Sequence, residues 1–265
     1  MENLYAELYT KRIFTLNEAI QTAQKLTSEK HTRSYISSKY LNPLVKSGKL
    51  VKPRRGLFIA APPSGEYSVD KLLLASKIRE NGFLGFHSAL EYYGCAYSAT
   101  NEAYICVEPR HRFKDFSFDG YSFKPVYVKD AGFEVTQHEY RGHQIRVSGR
   151  ERLLLDCVSR PKYAGGWEEC LKSLEGLGGL DFERLANILE GGYGGQTVIR
   201  RAGLVLEILR GSSVFYRHLQ EEALTRVERL VEGGRRYLTP RSEGHLVKRW
   251  GLIVPDDFRG FLRAV

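Results

Sequence analysis

Apolar positions recur at helical spacing at the start of the chain, switch to period two in the middle, and return to helical spacing afterwards. Ala19, Ile20, Ala23 and Leu26 make the buried side of a helix over Ile13 to Leu26, with Thr15 or Asn17 as its cap. Another short helix is expected over Met1 to Tyr9. From Ser34 to Ser47, steps of about 100° per residue place Ile36, Tyr40, Leu41 and Leu44 on one side. The opposite side carries Tyr35, Ser38, Lys39, Asn42 and Lys46. Thr32 or Ser34 starts this helix, and Gly48 is a natural residue to end it. Pro43 lies inside it, where the missing N–H and the ring clash cost about 3 kcal/mol, so a kink or break is expected. Leu50 and Val51 then answer Leu57 to Ile59 across Pro53 to Gly56, a short hairpin. This order predicts a winged helix-turn-helix over residues 1–62.

The run Ala60-Ala-Pro-Pro-Ser-Gly-Glu-Tyr67 continues neither a helix nor a central strand, and a linker is placed at 63–67. Beyond it, residues 68–265 form the second domain. Leu72, Leu73, Ala75 and Ile78 predict a helix over Val69 to Glu80, and a second runs from His87 or Ser88 to Tyr93. Period two then predicts strands at Ala103 to Val107, Ser122 to Val128, Glu134 to Tyr140 and His143 to Val147, the last two joined by a tight Arg141-Gly142 turn. Helices follow at Arg150 to Ser159, Trp167 to Glu175, Phe182 to Leu189, Thr197 to Leu209 and Val214 to Val231, with a last strand at Leu252 to Val254. The fold class is α+β: an N-terminal winged helix-turn-helix, then a mixed domain with a small antiparallel sheet and a helical C-terminal part.

Charge sharpens the first domain. Between Lys30 and Gly65 there are eight Lys or Arg and no Asp or Glu. Residues 1–66 hold eleven Lys/Arg against five Asp/Glu, a balance of +6 out of +9 for the chain. Such an asymmetry favours a dedicated nucleic-acid module, because each cation set against a phosphate releases condensed counterions. Arg33, Ser34, Tyr35, Ser38, Lys39, Asn42 and Lys46 are the candidates for the major groove, their lengths suiting base edges and phosphates. Lys49, Lys52, Arg54 and Arg55 ride the hairpin, which can lie along the backbone or in the adjacent minor groove. Arg110, Arg112, Arg200 and Arg201 are secondary candidates for phosphate or partner contacts.

Enzyme chemistry finds little support. His87 and Glu91 lie one helical turn apart, but no nucleophile is near in sequence, so helix capping by His87 or Ser88 and a solvated Glu91 are expected. Glu102-Ala-Tyr, Glu108-Pro-Arg and Glu134-Val-Thr lack the lysine of a restriction-type nuclease. Gly191-Gly-Tyr-Gly-Gly-Gln-Thr197 lacks the ending of a phosphate loop and reads as a connection between helices, with Thr197 as a cap. Cys95, Cys106, Cys157 and Cys170 form no paired motif and are expected as buried free thiols. No cofactor and no metal site are expected. No stretch approaches the ~20 apolar residues of a membrane span and no apolar signal core opens the chain, so a cytoplasmic protein is expected.

The order of these pieces resembles the AbiEi antitoxin family, the transcriptional-regulator half of abortive-infection, type IV toxin–antitoxin operons. The resemblance is carried by Gly48-Lys-Leu with Arg55-Gly-Leu-Phe58, by Gly85-Phe-His-Ser-Ala-Leu-Glu-Tyr-Tyr-Gly94, and by Arg150-Glu-Arg-Leu-Leu-Leu-Asp156 with Arg160-Pro and Ala164-Gly-Gly after it. Thr197-Val-Ile-Arg-Arg-Ala-Gly203 and Arg249-Trp-Gly-Leu-Ile253 extend it over nearly the whole chain. It implies a repressor of its own promoter that binds inverted repeats of double-stranded DNA, with self-association on the DNA. It also implies a nucleotidyltransferase-like toxin as genetic and functional partner, with no stable complex required. The rival expectation is a one-component regulator whose C-terminal domain senses a small ligand.

Overall fold

Thr15 and Glu18 set the first boundary. In the computed structural model, which describes residues 2–27, 32–62, 67–240 and 243–262, Thr15 Oγ1 accepts from the Glu18 N–H at 3.2 Å and Glu18 Oε2 accepts from the Thr15 N–H at 2.7 Å. This reciprocal cap starts helix α2 (Leu16–Thr27). It leaves Ile13–Thr15 as strand β1, where helical spacing had predicted helix. Helix α1 (Glu2–Thr10) precedes it, and α3 (Arg33–Ile36), a π turn (Ser37–Leu41) and α4 (Asn42–Lys46) follow as one continuous helix. Strands β2 (Leu50–Arg54) and β3 (Leu57–Ala60) complete a three-stranded antiparallel sheet in the order β1-β3-β2.

Pro43 explains the π turn. The helix neither breaks nor stops there. Widening the preceding turn, with the Asn42 N–H reaching the Ser37 carbonyl five residues back, makes room for a ring that clashes with an ordinary α turn. Leu26, expected on the buried side of α2, is 45 % exposed, and Thr22 is buried in its place.

The sheet is covered on both sides. Phe14 and Phe58, their rings stacked 5.7 Å apart, join Leu4, Leu8, Ile36, Leu41 and Leu44 in one core. Ile13, Leu57 and Ile59, alternate residues on the same strands, join the large core of the rest of the chain. The Tyr5 hydroxyl donates to the Ala61 carbonyl at 2.5 Å, and Lys77 pairs with Glu18 at 2.6 Å. The N-terminal unit is therefore docked through its sheet. Of the expected linker, residues 63–66 lie outside the described residues, as does Lys30.

The remainder is mixed α and β. Asp70 caps helix α5 (Lys71–Ser76), which covers half of the expected Val69 to Glu80. Strand β4 (Phe83–Leu84) and helix α6 (Phe86–Tyr92) lead to β5 (Glu102–Val107), β6 (Phe116–Phe118), β7 (Tyr121–Tyr127), β8 (Val135–Tyr140) and β9 (His143–Ser148). They form one six-stranded sheet in the order β6-β7-β5-β4-β9-β8. Antiparallel pairs β6/β7, β4/β5 and β8/β9 accompany two parallel ones, β5/β7 and β4/β9, which period two alone does not specify. Arg141 and Gly142 turn β8 into β9 with φ of 51° and 79°, the two positive values that a two-residue hairpin requires.

Helices α5 and α6 pack on the sheet; α7 (Arg150–Ser159) packs on α6, and α8 (Trp167–Glu175), α9 (Phe182–Glu190) and α10 (Gly195–Ser212) pack on α7. Gly194, not Thr197, caps α10. The single helix expected over Val214 to Val231 is a 3-10 turn at Val214–Tyr216 and helix α11 (Glu221–Arg229). Strands β10 (Arg236–Tyr237), β11 (His245–Val247) and β12 (Leu252–Val254) close the chain as a small sheet beside α10.

Candidate nucleic-acid interface

Thr32 Oγ1 accepts from the Tyr35 N–H at 3.2 Å and fixes the start of the third helix. Ile36, Leu41 and Leu44 then turn inward, and Tyr40 is half-buried. Arg33, Ser34, Ser38, Lys39, Asn42 and Lys46 are exposed, with Tyr35 half-buried at their edge. The π turn does not disrupt this division. Ser38 Oγ donates to the Ser34 carbonyl at 2.8 Å, and Lys39 Nζ is held by the Tyr35 hydroxyl 4.8 Å from that ring's centre. Arg33 Nη2 donates to Asn17 Oδ1 at 2.7 Å, tying the starts of α2 and α3 together.

The hairpin contributes unequally. Lys49 and Lys52 are exposed, their ammonium groups 5.3 Å from Tyr5 and 5.9 Å from Phe58. Arg55 is exposed at the tip beside Gly56, whose carbonyl accepts from the Leu16 N–H at 2.9 Å. Arg54 departs from the expectation of a DNA contact. Its guanidinium carbon lies 4.8 Å from the centre of Phe116 and 5.4 Å from that of Phe113, so the side chain is turned into the large domain. Burial, and then the charge of Arg79, hold its pKa below the usual range.

The loop that receives Arg54 carries Arg110 and Arg112. Arg79 fastens it, Nε donating to the His111 carbonyl at 3.0 Å and Nη2 to the Arg112 carbonyl at 3.1 Å. Arg110 is 74 % exposed and paired with Glu108 at 2.6 Å; Arg112 and Lys114 are exposed. The fold thus places this basic loop beside the hairpin tip, a juxtaposition that no local spacing encodes.

Arg200 and Arg201 are not phosphate contacts. Arg200 is 1 % exposed, and its guanidinium donates to the carbonyls of Glu232, Gly233, Trp250 and Gly251 at 2.5, 3.1, 3.2 and 2.9 Å. Arg201 donates to the carbonyls of Val158, Ser159 and Leu238. Both cross-brace chain segments distant in sequence by donating to their backbone carbonyls, Arg200 from a buried position and Arg201 from a half-buried one.

No protein-family model matches the chain, and no curated protein matches it. Its fold is similar to the crystal structure of RV2827C protein from Mycobacterium tuberculosis. The TM-score is 0.63 at 18 % identity, over 98 % of this chain and 92 % of that one. The likeness is one of fold, and it spans the N-terminal unit and the large domain together.

Elsewhere, His87 corrects its expectation. Gly85 caps α6, and His87 is buried with Nδ1 3.3 Å from Glu91 and Nε2 3.2 Å from Glu169. Glu91 is not solvated but pairs with Lys71 at 2.7 Å. Burial alone would raise its carboxyl, yet hydrogen bonds from His87 and Lys71 hold it below the usual range. Cys106, Cys157 and Cys170 are buried free thiols and Cys95 is half-buried. Among the described residues no group of three or more His, Cys, Asp or Glu is placed to hold a metal ion, and no helix is long and apolar enough to cross a membrane.

Proposed function

We propose that this chain is a DNA-binding repressor of its own promoter, and that it acts as the antitoxin of an AbiEi-like pair. The observation that carries the DNA reading is the exposed row Arg33, Ser34, Ser38, Lys39, Asn42 and Lys46 on one side of a capped helix. In this reading α2, the α3–α4 helix and the β2–β3 hairpin are a winged helix-turn-helix. The helix enters the major groove, where Asn42 has the two-pronged amide that suits an adenine edge. Lys52 and Arg55 meet the backbone, and Arg110 and Arg112 extend the basic surface from the large domain. Arg54, Arg200 and Arg201 have no part in it. Two copies on an inverted repeat would block the promoter sterically.

The antitoxin half rests on the resemblance carried by the motifs quoted above. Because Ile13, Leu57 and Ile59 belong to the large core, the test uses the full chain with point substitutions rather than truncations. The nucleotidyltransferase-like gene expected beside this one is expressed in a host with wild-type protein or with Asn42→Ala plus Lys46→Ala. Rescue by both, with operator binding lost only in the double variant, supports separable repressor and antitoxin roles. Absence of any toxicity to rescue counts against the pair.

A second reading, a ligand-sensing regulator, is favoured by one feature. A cavity of about 700 Å³ opens between α7 and α9, lined by Phe133, Arg152, Asp156, Arg160 and Tyr193. Its Phe133 and Tyr193 rings stack 5.5 Å apart. Operator affinity that shifts when a metabolite occupies this cavity would establish that reading.

A further inference from the structure

A cleft of about 540 Å³ separates the hairpin tip from the large sheet. From the N-terminal unit it is lined by Asn17, Glu18, Arg54 and Arg55, and from the large domain by Lys77, Arg79, Glu80 and Arg146. Its charges do not balance. Lys77 is matched by Glu18, which also accepts from the Thr15 N–H, and the exposed Glu80 is the second carboxylate of the lining. Five cations, Lys77 and four arginines, thus face two carboxylates.

Two of the arginines are held in place by neutral groups. Arg79 donates to the carbonyls of Ile78, His111 and Arg112, and Arg146 to those of Gly82 and Ala131, at 2.6 Å for the latter. A guanidinium fixed by carbonyls keeps its full charge and is already oriented. Arg54 is less satisfied still. Its Nη1 is buried and has no hydrogen-bond partner among the described residues. Both Arg54 and Arg79 have their guanidinium carbons 5.4 Å from the centre of the same Phe113 ring, so two like charges share one aromatic support. A buried donor without an acceptor, repelled by a second cation, is the arrangement an anion would relieve.

We propose that this cleft binds a small phosphate-class anion, held by Arg54, Arg79 and Arg146 between the N-terminal unit and the large domain. Several cations in one cleft suit a multiply charged oxyanion, whose oxygens match guanidinium forks. The volume falls within the range of small-molecule sites and admits a phosphate-bearing molecule. The anion is free rather than part of a duplex, because Arg54 Nη1 is buried and a backbone phosphate arrives with its neighbours attached. Since the cleft has one wall on each unit, occupancy couples to how the hairpin is presented; this consequence alone rests on the DNA reading.

The test is calorimetric titration of the full chain with inorganic phosphate and with pyrophosphate, without DNA, at ionic strength matched by sodium chloride. Saturable binding is expected, with a rise in Tm beyond that given by the matched chloride. Arg54→Met and, from the opposite wall, Arg146→Gln should each weaken it at least tenfold, while Arg229→Ala on α11 leaves it unchanged. Circular dichroism of each variant verifies the fold, and either wall suffices if the other variant does not fold. No saturable heat and no excess rise in Tm, or equal binding by both wall variants, overturns the site. If free phosphate never binds but Arg54→Met changes the salt dependence of DNA binding, the cleft serves the DNA backbone and the proposal is likewise overturned. Phosphate binding in a protein that binds no operator leaves the site standing and removes only the DNA reading.

Discussion

Lys77 Nζ lies 2.6 Å from Glu18 Oε1 and joins α2 of the N-terminal unit to the end of α5 in the large domain. Glu18 serves two structures at once, since its other oxygen caps Thr15. Burial alone would raise its carboxyl, but the Lys77 ammonium and the Thr15 N–H together hold it below the usual range. A depressed carboxyl pKa adds stability above the unfolded value of about 4.3, and that stability disappears as pH falls through the folded value. Glu18→Gln keeps a capping side chain and loses the charge. Thermal melts should show it about 1 kcal/mol less stable than wild type near pH 7, with the gap closing below about pH 4.

Trp250 packs directly on Gly203 of α10, where an added Cβ would overlap the indole ring. Trp250 is fully buried and donates to Glu207 at 2.8 Å, so it has no room to retreat. Gly203→Ala should therefore cost about 1–3 kcal/mol in urea unfolding. Gly211, near the end of the same helix, has nothing within 4 Å of its added Cβ. Gly211→Ala should gain about 0.5 kcal/mol, opposite in sign to a chemically identical change.

Arg200→Met leaves the carbonyls of Glu232, Gly233, Trp250 and Gly251 without their shared donor. A loss of about 1–3 kcal/mol is expected from chemical unfolding, because the buried Trp250 carbonyl loses its donor and the brace between the Glu232–Gly233 and Trp250–Gly251 segments is lost with it. The salt slope of DNA binding by the folded fraction should stay at the wild-type value. A reduced slope would restore Arg200 to the interface.

Lys52→Ala plus Arg55→Ala should weaken binding to all duplexes alike and reduce the salt slope by about 2, one for each phosphate contact removed. Asn42→Ala should leave the slope intact and cut the ratio of operator to random-DNA affinity by roughly 5- to 100-fold. Fluorescence anisotropy over a salt series measures both. Equal loss on operator and random DNA in Asn42→Ala would remove the helix from the major groove.

Pro43→Ala restores the N–H that the wide turn at Ser37–Leu41 does without. The turn should close to an α turn, which raises stability and rotates Lys46 relative to Ser38. Higher Tm together with weaker operator discrimination is the expected pair of results.

Much of the fold follows from the order of residues alone. Helical spacing located α6, α7, α8 and α9 to within a residue or so, and period two located β5, β7, β8 and β9. Local chemistry also decided the Thr15 cap, the Gly48 helix end at φ 74° and the Arg141-Gly142 turn. These are short-range effects, set by which side chains stand three or four positions apart and by which backbone angles a residue tolerates. Strand β4 has only two residues, too few to show a period, and β1 hid inside a helical pattern that began three residues too early.

The fate of the arginines was a tertiary matter. The sequence offered Arg54 and Arg55 as DNA contacts on the hairpin and Arg200 and Arg201 as secondary phosphate or partner contacts. The fold exposes Arg55, turns Arg54 onto Phe113 and Phe116, and spends Arg200 and Arg201 on backbone carbonyls up to 51 residues away. His87 likewise met Glu169, 82 positions distant, rather than solvent. Spacing along the chain determines which face of an element a side chain occupies. What lies against that face, and so whether a charge is free, paired or buried, depends on segments brought together only when the sheets and helices close on one another.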